Sequence, residues 1–110
     1  MGQLLDKQIK FAQYVTLLIT KAFQLGYGVT LGDAYRDPRC PYGSEVSLHK
    51  ERLAIDLNLY KREGGQWLYL KETTDHRQLG EWWELSDSEC AWGGRFNDGN
   101  HYSLKHEGRK

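Results

Sequence analysis

Cysteine and proline are scarce in this chain, with two of each in 110 residues. Cys40 and Cys90 are too few for a disulfide framework. Two free thiols are the expectation, because nothing else looks secretory, and a single bridge between them stays open. An excess of charge of one sign is also missing, since 15 basic and 15 acidic side chains cancel. Without a basic surplus to neutralise phosphates, nucleic acid is not expected as the main partner. There is no long hydrophobic run. The apolar stretch over residues 14–19 is flanked by Lys10 and Lys21, is too short to span a bilayer and lacks a small-residue cleavage site. Neither a membrane segment nor a signal peptide is therefore expected. Internal repeats and low-complexity tracts are absent as well.

What is present describes one folded unit over residues 1–110. Hydrophobic residues at 39% and charged residues at 27% fit a globular chain rather than a disordered one. Four Trp, seven Tyr and three Phe give a small core much of its buried area. Over residues 4–25, Leu5, Ile9, Ala12, Val15, Ile19, Ala22 and Phe23 recur at helical spacing, and Gly26 is a natural stop. Residues 27–35 read as a strand. Residues 37–47 hold both prolines, Gly43 and two serines, and read as a loop. Residues 53–60 alternate, with Leu53, Ile55, Leu57 and Leu59 on one face and Ala54, Asp56, Asn58 and Tyr60 on the other. Glu63-Gly64-Gly65 supplies a turn into an apolar run at 67–70, which together predict a hairpin.

A second helix is expected from a cap at Thr74 or Asp75 through about Leu85, burying Leu79, Trp82 and Trp83. After Trp92, short strands joined by a tight turn are expected, and then a frayed polar tail over residues 105–110. His76 and His106 read as solvated. The order of elements predicts an α+β domain, with helices packed on a small antiparallel sheet.

The chemistry concentrates in two places. In Ser47-Leu48-His49-Lys50-Glu51-Arg52-Leu53-Ala54-Ile55-Asp56, an acid stands in the middle of an apolar strand. Burying it is costly unless something compensates its charge, and a metal ion would. In Asp98-Gly99-Asn100-His101, a carboxylate precedes an imidazole by three residues. His49, Asp56 and His101 thus offer three zinc ligands, with Asp98 a spare carboxylate. Catalytic zinc takes three such ligands and leaves a position for water. A nearby carboxylate can then remove that water's proton.

These residues resemble the VanY-like zinc peptidases. Ser47-x-His49, Asp56 seven residues on with Ala54 two before it, and the late Asp98-x-x-His101 carry the likeness. Ala34-Tyr35-Arg36 is similar to the family's Gly-Tyr-Arg segment, and Trp92-Gly93-Gly94-Arg95-Phe96 to a stretch in its phage members. The family includes D-alanyl-D-alanine carboxypeptidases, dipeptidases and phage L-alanyl-D-glutamate endopeptidases. The resemblance implies a hedgehog/D-Ala-D-Ala peptidase-like fold. It implies one zinc ion on His49, Asp56 and His101, with Asp98 as general base and Arg36 steadying the oxyanion. Ser47 would orient a ligand, and Tyr35 and Trp92 would lie near the ligands or the substrate.

Many relatives carry glycine three residues after the first histidine, where this chain has Arg52. The substrate implied is a peptidoglycan stem peptide, cut by an endopeptidase acting as a monomer. The protein would be made in the cytoplasm and reach the wall after release or on a virion. Interspersed charge would not grip a polyanionic wall by itself. The alternatives are a D-alanyl-D-alanine carboxypeptidase or dipeptidase, and a non-catalytic zinc-stabilised binding module, given the likeness of this fold to hedgehog signalling domains.

Overall fold

A computed structural model describes residues 2–39 and 47–110. The elements in chain order are α1 (Gly2–Gln24), β1 (Gly28–Leu31), a 3-10 turn (Leu48–Glu51), β2 (Ala54–Glu63) and β3 (Gln66–Leu70). A second 3-10 turn (Thr73–His76) leads into α2 (Arg77–Ser86), followed by β4 (Cys90–Trp92), a third 3-10 turn (Gly93–Phe96) and β5 (His101–Leu104). The domain is α+β, with two helices on an antiparallel sheet ordered β1-β2-β5-β4 and β3 also pairing β2. None of the described helices is long and apolar enough to cross a membrane.

β2 is the spine of the sheet. Along one edge it pairs β1, and beyond β1 the amide of Gly32 donates to the Asp56 carbonyl at 2.8 Å. Along the other edge β5 takes its first half and β3 its second half. The β2–β3 connection is the two-residue turn Gly64-Gly65, with φ of 59° and 79°. Positive φ at both centres is what a tight hairpin requires, and glycine adopts it without a Cβ clash.

Helix α1 forms and stops as its pattern predicts, but it buries a different stripe. Phe11, Leu18 and Ala22 are buried, with Leu4, Tyr14, Val15 and Leu25 packed beside them. Leu5, Ile9, Ala12 and Phe23, expected inside, are exposed. The helix carries two overlapping apolar stripes, and tertiary packing chooses between them. The chosen one brings Phe11 and Tyr14 edge-on to Trp83, at centroid distances of 6.2 and 6.4 Å. At the helix end Gly26 has φ 92°, its amide donates to the Phe23 carbonyl, and the Tyr27 amide donates to the Ala22 carbonyl. These two bonds close the helix and turn the chain into β1.

Trp83 is the centre of the core. It is fully buried, and its indole N–H donates to the carbonyls of Ala91 and Ser103, both at 3.1 Å. The ring therefore ties α2 to β4 and β5 while its apolar body faces α1 and Tyr102. Trp82 is only half-buried, so α2 buries Leu79, Gly80 and Trp83 instead of the expected trio.

Other expectations also change. The strand predicted over 27–35 covers only Gly28–Leu31, because the chain beyond it bends away after two backbone bonds to Asp56. The final strands are not joined by a tight turn, since a 3-10 turn and four further residues separate β4 from β5. Of the predicted loop 37–47, Asp37 accepts from the Arg39 amide at 2.8 Å, and residues 40–46 lie outside the described residues, Cys40 among them. Cys90 is a buried free thiol whose pKa burial pushes up to about 12, so it is unreactive near neutrality.

His76 is not solvated. It is 3% exposed, and its Nδ1 lies 2.9 Å from the Tyr102 hydroxyl. Burial pulls its pKa down to about 4. An unfolded imidazole takes up a proton as pH falls through about 6.5, whereas the folded one resists until about 4. In that window the unfolded chain binds more protons, so stability falls as the pH drops. His76→Gln should remove roughly 2 kcal/mol of the wild-type loss between pH 7 and 4.5, read from urea midpoints. Parallel pH profiles for the two proteins would show that this histidine is not the buried neutral group.

Candidate metal centre

The site begins with a backbone device. Ser47 caps the 3-10 turn, its hydroxyl accepting from the His49 amide at 3.2 Å. The turn ends at Arg52, whose φ of 58° is left-handed and whose amide points to the carbonyls of His49 and Leu48. Glycine adopts this left-handed conformation without a Cβ clash. Arginine adopts the same conformation here at a cost of about 1 kcal/mol. The reversal sends the chain into β2 and leaves His49 facing the sheet.

β2 and β5 supply the other two groups. Their register sets Asp56 directly opposite His101. Opposed residues point to the same face of the sheet, so the carboxylate and imidazole meet without any loop to carry them. His49 Nε2 stands 3.2 Å from Asp56 Oδ1, and His101 Nδ1 stands 3.8 Å from the same oxygen. One ligand atom from each of the three lies within 4.8 Å of the others, and this group could hold a metal ion. His49 is 3% and His101 6% exposed, while the Asp56 side chain keeps 22%.

The chemistry of the donors fits a cation. His101 Nε2 lies 3.2 Å from the Lys110 backbone oxygen. A backbone oxygen can only accept, which favours the tautomer with the proton on Nε2 and the Nδ1 lone pair toward Asp56. Burial, and then the neighbouring His49 charge, lower the pKa of His101 from the usual imidazole value, and the Asp56 and Asp98 charges do not offset them. These effects favour the neutral ring, the form that binds metals. His49 Nδ1 is buried without a hydrogen-bond partner among the described residues, and the other ring nitrogen, Nε2, is the one that faces Asp56. With zinc–nitrogen distances of about 2.0–2.1 Å, tetrahedral ligand atoms sit about 3.3 Å apart. The 3.2 and 3.8 Å separations stand close to that value, and no pair of ligand atoms in the group is more than 4.8 Å apart.

The three groups line a cleft of about 420 Å³ together with Arg36, Ser47 and Asp98. Arg36 is held by its amide to the His49 carbonyl, by Asp33 at 3.1 Å and by the Ser47 hydroxyl at 3.4 Å. Asp98 shapes the turn before β5, its carbonyl accepting from the His101 amide at 3.1 Å, and its exposed side chain lies at the cleft.

Two expected residues lie elsewhere. Tyr35 is exposed and does not line this cleft, and the Arg52 guanidinium sits 4.0 Å from its ring centroid. Trp92 is a packing residue, buried with its indole N–H donating to the Gly99 carbonyl at 2.7 Å. Its ring fills the space where a Cβ on Gly80 or Gly94 would stand, which explains the glycines on either side of it.

Four cleft residues were not among the expected site residues, the buried Leu48 being one. The Phe96 ring meets His101 edge-on at 5.5 Å, and its only signal was its place in the Trp-Gly-Gly-Arg-Phe run. Arg109 and Lys110 also line the cleft, because the tail is folded back by the His106–Arg109 bridge and not frayed. His106 is half-buried, 3.4 Å from Glu107. No signal in the polar sequence of residues 105–110 marks that return.

No protein-family model matches the chain, and no curated protein matches it. If the group holds a cation, the wild-type protein should bind about one equivalent of zinc by equilibrium dialysis. It should gain about 2.7 kcal/mol of stability at free zinc a hundredfold above Kd. His49→Ala and Asp56→Ala should each lose both effects. Equal zinc uptake by all three proteins would place the metal at another site.

Proposed function

We propose that this chain is a zinc-dependent peptidase that hydrolyses an amide bond in peptidoglycan stem peptides, of the L-alanyl-D-glutamate endopeptidase type. The observation that carries the reading is the convergence of His49, Asp56 and His101 in one cleft beside Asp98 and Arg36. A zinc ion held there would supply Lewis acidity, polarising a carbonyl and making water acidic enough to attack near neutral pH.

The chain's own groups supply the remainder. Asp98, an exposed carboxylate at the cleft, takes the proton from the attacking water and returns it to the leaving amine. Arg36 is pinned by Asp33 and Ser47, so its charge is preorganised for the oxyanion that forms as water adds. Ser47 acts through position, holding both the His49 amide and the Arg36 guanidinium. The cleft volume lies in the range that takes a short peptide segment. A spare carboxylate at the cleft has no use in a purely structural zinc module, which favours turnover over binding alone.

A second reading has its own support. Arg109 lines the cleft, with its guanidinium 3.2 Å from Glu107 and 3.9 Å from Glu51, and an arginine there can grip a terminal carboxylate. That feature favours a D-alanyl-D-alanine carboxypeptidase or dipeptidase. Digestion of purified peptidoglycan, with mass spectrometry of the new termini, separates the two. New N-terminal D-glutamate supports the endopeptidase, and released D-alanine supports the exopeptidase.

Asp98→Ala should keep the fold and zinc content while hydrolysis falls by about 10²–10⁴-fold. Undiminished hydrolysis by that variant would remove Asp98 from the chemistry.

A further inference from the structure

Strand alternation carries the metal-site face of β2 well beyond the metal site. Asp56, Asn58, Tyr60 and Arg62 share that face, and the register sets His101, Thr30, Tyr69 and Trp67 beside them in turn. At about 3.3 Å per residue, the row from Asp56 to Arg62 spans about 20 Å.

Three hollows follow this row. The metal-site cleft shares Asp98 with a polar hollow of about 180 Å³ that reaches Asn100 and Tyr69. The Tyr69 ring stands 5.4 Å from that of Tyr60. Tyr60 in turn lines a hollow of about 450 Å³ with Trp67, Thr30 and Phe23. The Trp67 ring lies against Gly28, where an added Cβ would come within 2.9 Å of it, and the Arg62 guanidinium sits 4.8 Å from its centroid.

The chemistry of the row is mixed in a particular way. Trp67 is 54% and Tyr69 52% exposed. Between these rings and the metal group stand neutral hydrogen-bonding groups. Thr30 Oγ1 is 3.0 Å from the Tyr60 hydroxyl, and Asn58 links Thr30 and Asn100 at 3.4 Å each. Exposed rings clustered beside a cleft mark a recognition surface. A lipid surface would call for unbroken apolar area, which Asn58, Thr30 and the tyrosine hydroxyls interrupt. A pyranose needs both, because its C–H face stacks on a ring while its rim of hydroxyls and amides seeks neutral polar partners.

We infer that this face is a track for a glycan of β-linked N-acetylated amino sugars, continuous with the cleft, which seats the wall strand so that its attached peptide reaches the metal group. The identity of the polymer rests on the peptidase reading, whereas sugar binding can be measured without hydrolysis.

The test is titration of the whole protein with chitohexaose, followed by amide and indole NMR shifts. Saturable shifts should map to Trp67, Tyr69 and Tyr60. Trp67→Ala, checked for an unchanged melting temperature, should weaken binding by roughly tenfold, the size of one lost ring contact. Should Trp67→Ala melt early, Tyr69→Ala and the wild-type shift map give the same answer. Absence of saturable shifts, or shifts confined to another face, overturns the track. Cleavage of a sugar-free stem peptide by the wild-type protein is read separately, so failure of the peptidase reading cannot be confused with failure of this one.

Discussion

The antiparallel register of β2 with β5 holds the site together. It sets Asp56 against His101 across one rung of the ladder, so the carboxylate and the imidazole are placed by backbone hydrogen bonds. A slip of one residue would flip one strand relative to the other, so that the carboxylate and the imidazole faced opposite sides of the sheet. The apolar residues of β2 prevent that slip. Ile55, Leu57 and Leu59 are all buried on the helix side, so any other register would put them in water.

The same strand pair links the core to the cleft. In β5, His101 and Ser103 alternate with Tyr102 and Leu104, and Tyr102 is fully buried between Trp83 and His76. The Tyr102 hydroxyl has His76 as its partner, so the ring is fixed at both its apolar body and its polar tip. Because Tyr102 is so fixed, the neighbouring His101 backbone has little freedom, and the imidazole on the other face inherits that rigidity. His49 arrives independently, through a capped turn and a left-handed Arg52. The ion pairs of Lys7 and Lys10 with Asp87 and Glu89 fasten α1 to the segment before β4, but such half-exposed pairs add little stability.

How legible the molecule was in its sequence depended on the range of the physics involved. Period-2 alternation around Asp56 is local, and it gave β2, its faces and the costly acid within it. The Gly64-Gly65 turn is local as well. The buried face of α1 was not legible, because two apolar stripes overlap and only the position of Trp83 selects between them. The packing role of Trp92 depends on Gly80 and Gly94 making room for its ring, a fit that appears only once the chain is folded. His49, Asp56 and His101 were legible as candidates by residue type and spacing; the strand register brings Asp56 to His101, and the capped turn brings His49 to both. The return of the tail to the cleft, and with it Arg109 and Lys110, rests on tertiary contacts that a short polar segment does not announce.

Arg52 illustrates a trade within one residue. Its backbone is in the left-handed region, yet its guanidinium lies over the Tyr35 ring, and Tyr35 immediately precedes Arg36. Glycine at this position would relax the turn and at the same time cut the tether on the loop that presents Arg36. The local strain in the chain therefore supports order some distance away: a looser residue 52 would favour the turn itself while leaving the cation beside the cleft less firmly aimed.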